Sequence, residues 1–179
     1  MGDNEMENWL MLTFVGKDRP GIVAKVSQVL FDMQGNLGEA SMTRLGGNFT
    51  IMLMACIPES KTVIQKKLQQ ICGELGLFFH LDAIEAGLHQ HIEPDVRISI
   101  HGADKAGIVA HATDALNKAG LNILNLESDV GGSPENPVYV MHIEGVSGKG
   151  FDALEKALQV LARENDVVAR MTRIDTMVG

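Results

Sequence analysis

Aromatic residues are scarce in this chain, at 4% of 179 residues, and so are cysteines, of which there are two. Basic residues are also in the minority: 15 Lys and Arg stand against 23 Asp and Glu, for a formal net charge of −8. Each shortage excludes a class. Binding to a nucleic-acid backbone needs clustered cations, and single-strand readers need exposed aromatics for base stacking, so both are disfavoured. Cys56 and Cys72 form no C-x-x-C pair, which removes the usual thiolate metal site and leaves two buried, reduced thiols as the expectation. No long uncharged apolar run is present, so no membrane span is expected. The first residues are acidic and open no secretory signal, and Met6 stands where a myristoylation signal following Gly2 needs Ser or Thr. A cytoplasmic protein is therefore expected.

What the chain does have is enough apolar content for a core, 45%, and an internal repeat. The segment Gly16-Lys17-Asp18-Arg19-Pro20-Gly21-Ile22-Val23-Ala24 recurs 86 residues later as Gly102-Ala103-Asp104-Lys105-Ala106-Gly107-Ile108-Val109-Ala110. The correspondence continues without a gap to Asn36 and Asn122. Self-similarity over such a span marks a duplicated structural unit.

Both copies have the same element pattern. Residues 9–15 and 96–100 suit a first strand. The Gly-x-Asp loop follows, and then apolar residues at helical spacing: Ile22, Val26, Val29, Leu30 and Met33 in one copy, Ile108, Ala112, Ala115, Leu116 and Ala119 in the other. Asp18 and Asp104 lie at or near an N-cap position, Pro20 suits a first turn, and Gly35 and Gly120 suit helix ends. Residues 37–45 and 49–57 flank Gly46-Gly47-Asn48, a tight hairpin signal. In the second copy residues 123–130 and 138–143 flank a longer, proline-containing connection at 131–137. A second helix is marked by Ile64, Leu68, Ile71 and Leu75, and its counterpart by Phe151, Leu154, Leu158 and Leu161. Last strands are expected at 77–84 and 167–174. The order βαββαβ, twice, predicts an α+β fold of two ferredoxin-like units, each an antiparallel four-stranded sheet with two helices on one face. The units are placed at 7–85 and 95–177, with a linker at 86–94.

The loops are where binding chemistry is expected. A glycine-bearing loop that enters a helix presents backbone N–H groups, and the helix dipole favours an anion there. Gly16, Gly21, Gly102 and Gly107 allow close approach of backbone to ligand. Asn36 and Asn122 recur at the start of the second strand, where an amide both donates and accepts.

The run from Val15 to Val23, followed by Gly35-Asn36-Leu37, resembles the signature of ACT domains, the amino-acid-binding regulatory modules of metabolic enzymes. It occurs twice and covers nearly the whole chain. The tandem arrangement without an attached catalytic domain resembles the glycine cleavage system transcriptional repressor family. The resemblance implies an ACT-type fold and a regulatory role without catalysis or cofactor. It implies an amino-acid ligand, with glycine the first candidate, and a protein partner, either a transcription factor or a metabolic enzyme. It also implies homo-oligomerisation. Carried onto this sequence, the ligand loops are Gly16, Asp18, Arg19, Pro20, Gly21 and Ile22, and Gly102, Asp104, Lys105, Gly107 and Ile108. The ligand-contacting second strand falls on Asn36 with Leu37 and on Asn122 with Ile123. The second copy departs from the pattern at Lys105 and Ala106, so equal ligand affinity is not implied. In paired units of the family a ligand commonly lies between the loop of one unit and the second-strand start of its neighbour. Pairing of the two units here would bring loop 16–22 to Asn122 and loop 102–108 to Asn36.

Other residues point less far. His89 and His91, with His80, Asp82, Glu85 and Glu93 nearby, could ligate a metal but read better as a solvated linker. His101 and His111 flank the second loop and read as packed histidines. Ser41 and Ser128 lie on matching strands with no base in evidence, so no nucleophile is indicated. No phosphate-binding loop of the G-x-x-x-x-G-K-[ST] kind occurs. The reading is a ligand-responsive regulator acting through a partner, without direct nucleic-acid or membrane contact. The alternative is a detached regulatory subunit of an amino-acid biosynthetic enzyme.

Overall fold

The computed structural model describes residues 9–84, 92–103, 107–133 and 135–174. The chain divides into two compact units, Met1–His89 and Gln90–Gly179. In the first, β1 (Trp9–Lys17) alternates strictly: Leu10, Leu12 and Phe14 are buried, and the residues between them face the other way. The chain continues through α1 (Ile22–Asp32), β2 (Asn36–Leu45), β3 (Asn48–Cys56), α2 (Lys61–Leu75) and β4 (Leu77–Ala83). The second unit repeats this with β5 (Val96–Ala103), α3 (Ile108–Lys118), β6 (Leu121–Ser133), β7 (Asn136–Ser147), α4 (Phe151–Asn165) and β8 (Val167–Arg173). Sheet orders are β2-β3-β1-β4 and β6-β7-β5-β8, antiparallel throughout. The expected tandem ferredoxin-like fold is therefore present.

Each core lies between one sheet face and its two helices. Leu12, Phe14, Leu53 and Leu81 meet Val26, Leu30, Ile64 and Leu68 in the first unit. Ile98, Ile100, Met141 and Ile143 meet Ala112, Leu116, Leu154 and Leu158 in the second. No polar side chain is buried among the described residues. Cys72 is buried on α2, and burial pushes its thiol up to about 11; Cys56 is only half-buried.

The β2–β3 turn is tight because Gly46 and Gly47 both hold positive φ, 55° and 75°, as a two-residue hairpin requires. Three local expectations need correction. The 131–137 connection is not an open loop: Gly131 pairs with Val138, Gly132 with Pro137, and Ser133 with Asn136. β5 accompanies β7 only from Val138 to Gly145. The glycines and proline thus form the end of a two-stranded ribbon projecting past the sheet, where a missing N–H has no β5 partner to disappoint. At the end of α1 the left-handed residue is Gln34 (φ 57°), not Gly35. Gly35 is instead a close approach, because a Cβ there would stand 2.9 Å from the Leu30 carbonyl oxygen. Third, Asp18 does not cap α1; the N-cap is Gly21, with no side-chain hydrogen bond. The linker histidines His89 and His91 lie outside the described residues.

Asp95 ties the second sheet at one end. Its carboxylate accepts from the Ser147 N–H (2.9 Å) and hydroxyl (2.7 Å). Its N–H donates to Gly145, and its carbonyl accepts from Ile174. Beside it a Cβ on Gly145 would lie 2.3 Å from the Asn122 carbonyl oxygen. Gly145→Ala is expected to cost about 1–3 kcal/mol through forced backbone displacement. Gly73→Ala, on open helix surface with nothing within 4 Å of its added methyl, should gain about 0.5–1 kcal/mol. Urea midpoints of the two variants should move in opposite directions. The Cys72 thiol, protonated well above neutral pH, should resist iodoacetamide in the native protein at pH 8 and react once the protein unfolds.

Candidate functional site

The first Gly-x-Asp loop leaves the end of β1 and enters α1. Gly16 is required by packing: a Cβ there would meet the Leu77 side chain at 2.5 Å and the Gly76 carbonyl at 3.1 Å. Gly102 has the same role against Val167, at 2.6 Å. The first glycine of each loop is thus accounted for by closure of the last strand onto the first. Gly21 and Gly107 are different. They hold φ of 85° and 88° as N-caps of α1 and α3, a conformation that L side chains adopt only at a cost. Space above Gly21 is empty to 4 Å.

No side chain caps either helix, and neither has an acidic residue in its first turn. In α1 the Ile22 N–H donates to the Arg19 carbonyl at 3.4 Å, and the N–H groups of Val23 and Ala24 have the positive end of the helix dipole behind them. Arg19, Pro20 and Gly21 are exposed around this point, and Ile22 is buried beneath it. Asp18 is withdrawn from it. Its N–H donates to Gly47 (3.1 Å), and its carboxylate forms an ion pair with Arg44. Asp18 thereby anchors the loop to the β2–β3 hairpin. In the second unit Asp104 and Lys105 lie outside the described residues. Gly107 is overhung by His111, whose Nδ1 is 2.9 Å from Asn165 Oδ1.

Asn36 and Asn122 are both exposed. Each is followed closely by an irregularity in strand pairing, between Leu37 and Ala40 in β2 and between Ile123 and Asn125 in β6. The register places Asn36 opposite Cys56, which lies opposite Trp9. Gly16 is at the far end of β1, so loop and Asn of one unit are roughly 20 Å apart at ~3.3 Å per residue. The second unit repeats this: Asn122 pairs with Val146 beyond the Val96 end of β5, and Gly102 is at the other end. One unit therefore does not bring its own loop and its own Asn to one small ligand.

Asn122 and Ile123 line an open cleft with Ala110, Thr113, Asp114 and Asn117 of α3. The three polar residues on that helix escaped sequence reasoning. Their spacing on one helical face was the available signal, but a solvated face carries the same one. Thr113 is turned back to its own helix, donating to Val109 at 2.8 Å, and Asp114 pairs with Lys118 at 2.7 Å. Leu37 is exposed on the β2 edge. Of the histidines, His101 and His142 meet edge to face with ring centroids 6.1 Å apart. Among the described residues no group of three or more His, Cys, Asp or Glu could hold a metal, and no helix is long and apolar enough to cross a membrane.

Comparison with known proteins follows the same lines. The ACT-domain profile matches residues 8–82. The chain is 25% identical over 163 residues to the glycine cleavage system transcriptional repressor of Escherichia coli (strain K12), covering 88% of this chain and 86% of that protein. It is 32% identical over 83 residues to the UPF0237 protein YjhC of Lactococcus lactis subsp. lactis (strain IL1403), covering 45% of this chain and 95% of that protein. Among solved structures it is similar to an unknown protein from Galdieria sulphuraria, with a TM-score of 0.76 and 22% identity over 94% of this chain and 99% of the other.

Replacing Gly21 by Ala tests the loop without filling any occupied space. The left-handed backbone should make it about 1–2 kcal/mol less stable, read as a lower denaturation midpoint with an unchanged far-UV spectrum.

Proposed function

The chain belongs to the ACT-domain family, and on that ground we propose that it is a non-catalytic, amino-acid-responsive regulator that acts through a protein partner. The observation that carries this reading is the repeated, uncapped helix N-terminus behind a left-handed glycine, at Gly21 and again at Gly107. Such a site suits a ligand α-carboxylate: N–H groups hold the two oxygens, and the dipole offsets their charge. Withdrawal of Asp18 into its ion pair with Arg44 keeps the first loop open to that anion.

A carboxylate at the loop leaves the ligand's ammonium and side chain to be oriented from elsewhere. Asn36 and Asn122 have the donor and acceptor for this work, and each lies at the opposite pole of its own sheet. A ligand that touches both kinds of residue therefore bridges two units. By binding only the paired state, it stabilises that state in proportion to its concentration. Similarity to a glycine cleavage repressor makes glycine the first amino acid to try. The net charge of −8 directs the output to a protein partner rather than to DNA.

The test is thermal melting with each free amino acid in turn. A cognate amino acid should raise the melting temperature of the wild-type chain. Asn36→Ala and Asn122→Ala should each weaken binding by about 1–3 kcal/mol by leaving a ligand group unpaired, while the ligand-free midpoint stays near wild type. If both variants keep the full ligand-induced shift, the Asn part of the site is wrong. If no amino acid shifts the wild-type chain, the ligand reading fails. Affinity capture then separates the two outputs, since recovery of a biosynthetic enzyme in place of a transcription factor favours the regulatory-subunit reading.

A further inference from the structure

The first sheet concentrates thioethers on the face turned away from its helices. Along β3 the side chains of Met52, Met54 and Cys56 share that face, because Leu53 and Ala55 between them are buried in the core. Register sets Met11 of β1 directly opposite Met54, and Thr13 opposite Met52. Met11, Met52 and Met54 thus occupy three adjacent corners of one patch. Cβ atoms directly opposite one another are about 5 Å apart, and alternate residues of one strand are about 7 Å apart. An unbranched side chain with three rotatable bonds spans such distances, so the three sulfurs can reach a common point. Met52 is 47% exposed and Met54 9%. The Trp9 ring crosses from β1 over β3 to Gly38 of β2, where it and the Met54 Cβ lie 2.9 and 3.3 Å from the place a Cβ would take. The indole therefore walls the Met54 side of the patch. The fold does not call for methionine here. In the second unit the register puts Arg97 and Glu144 where Met11 and Met54 stand, and His142 where Met52 stands. Simple apolar cover on strands favours β-branched and aromatic side chains. What methionine adds is a soft, polarisable sulfur.

We propose that Met11, Met52 and Met54 form a site for copper(I), a soft monovalent cation, held by their three thioether sulfurs. Soft sulfur donors select copper(I), whereas carboxylate and carbonyl oxygens select magnesium and calcium. Among the described residues His, Cys and carboxylates assemble no metal site of their own, so the donors here are thioethers alone. His80, on the same face, is turned to Asp82 with Nε2 2.6 Å from Oδ2 and stays outside the donor set. Cys56 lies one row further along, opposite Trp9, and is also outside it. Three neutral donors leave the charge of the ion intact. Asp82 stands opposite Met11 on β4, and the indole flanks Met54; a carboxylate and an aromatic face both stabilise a nearby cation. Thioethers carry no proton to displace, unlike thiols and imidazolium, so occupancy does not depend on pH.

The site shares no residue with the amino-acid site, and its test is separate. Trp9 is the only tryptophan of the chain, so its emission reports on this face. The full chain carrying Cys56→Ala is titrated under argon with copper(I) held reduced by ascorbate; Cys72 is buried with its thiol protonated. One equivalent should bind, with quenching of Trp9 emission that saturates at the same point and an all-sulfur shell by X-ray absorption. Affinity should be flat between about pH 5 and 8. Met11→Leu, Met52→Leu and Met54→Leu conserve apolar volume, and each should raise the dissociation constant about tenfold or more. The triple variant should not bind, while its circular dichroism and metal-free melt stay close to wild type. Met52→Leu, at the exposed corner, decides the matter by itself if the triple variant does not fold. Unchanged affinity in the Met→Leu variants, binding that Cys56→Ala abolishes, or unchanged Trp9 emission would each overturn the proposal. So would affinity that rises with pH or a nitrogen and oxygen shell, which would identify a thiolate or an adventitious site. Amino-acid melting shifts should persist in the methionine variants and report on the ligand site independently.

Discussion

Closure of the last strand onto the first is the constraint from which both halves of the structure follow. Leu77 stands in the space that a side chain at residue 16 would need, and Val167 does so for residue 102. A small atom count at those two points lets β4 and β8 run beside β1 and β5 as far as Gly16 and Gly102. The sheet then holds its helices, and the loop after each glycine is delivered to one fixed corner. The Gly-x-Asp motif is therefore an element of sheet assembly first. The same corner also contains a second glycine at positive φ and a helix whose first turn no side chain caps.

That same topology separates loop from amide. β1 and β2 run in the same direction, both antiparallel to β3, so the end of one and the start of the other fall at opposite poles. A helix between them carries the chain back along the sheet, and its eleven residues fix the span. A small molecule held at both poles must draw on more than one unit.

The duplicated units have diverged on the sheet face away from the helices. In the first, Trp9, Met11, Met52 and Met54 occupy it, and Gly38 gives room to the Trp9 ring, 2.9 Å from where a Cβ would stand. In the second, the matching face carries Arg97 paired to Glu144 at 2.7 Å, together with His101 and His142. The hairpins differ too, a two-residue turn in one and a projecting ribbon in the other.

Much of this was legible beforehand. Strict alternation in β1 and β5, helical spacing around Val26 and Leu116, and an 86-residue repeat determined the order of elements and the fold, because burial periodicity is local information. The Gly46-Gly47 turn was readable for the same reason. Position 35 was misjudged, since a glycine after a helix signals either a left-handed turn or a close approach, and only the neighbouring Leu30 carbonyl decides which. The 131–137 segment was misjudged because glycine and proline break a strand only where a neighbour needs their N–H or their side-chain volume, and β5 ends before reaching them. The motif itself pointed to the fold, and similarity placed the chain in the ACT-domain family. That Gly16 answers to Leu77, that Asp18 is spent on Arg44, and that Asn36 stands at the far pole from its own loop were decided by the tertiary structure alone. Each depends on which distant residue the sheet register sets alongside, and sequence spacing carries no record of register between strands.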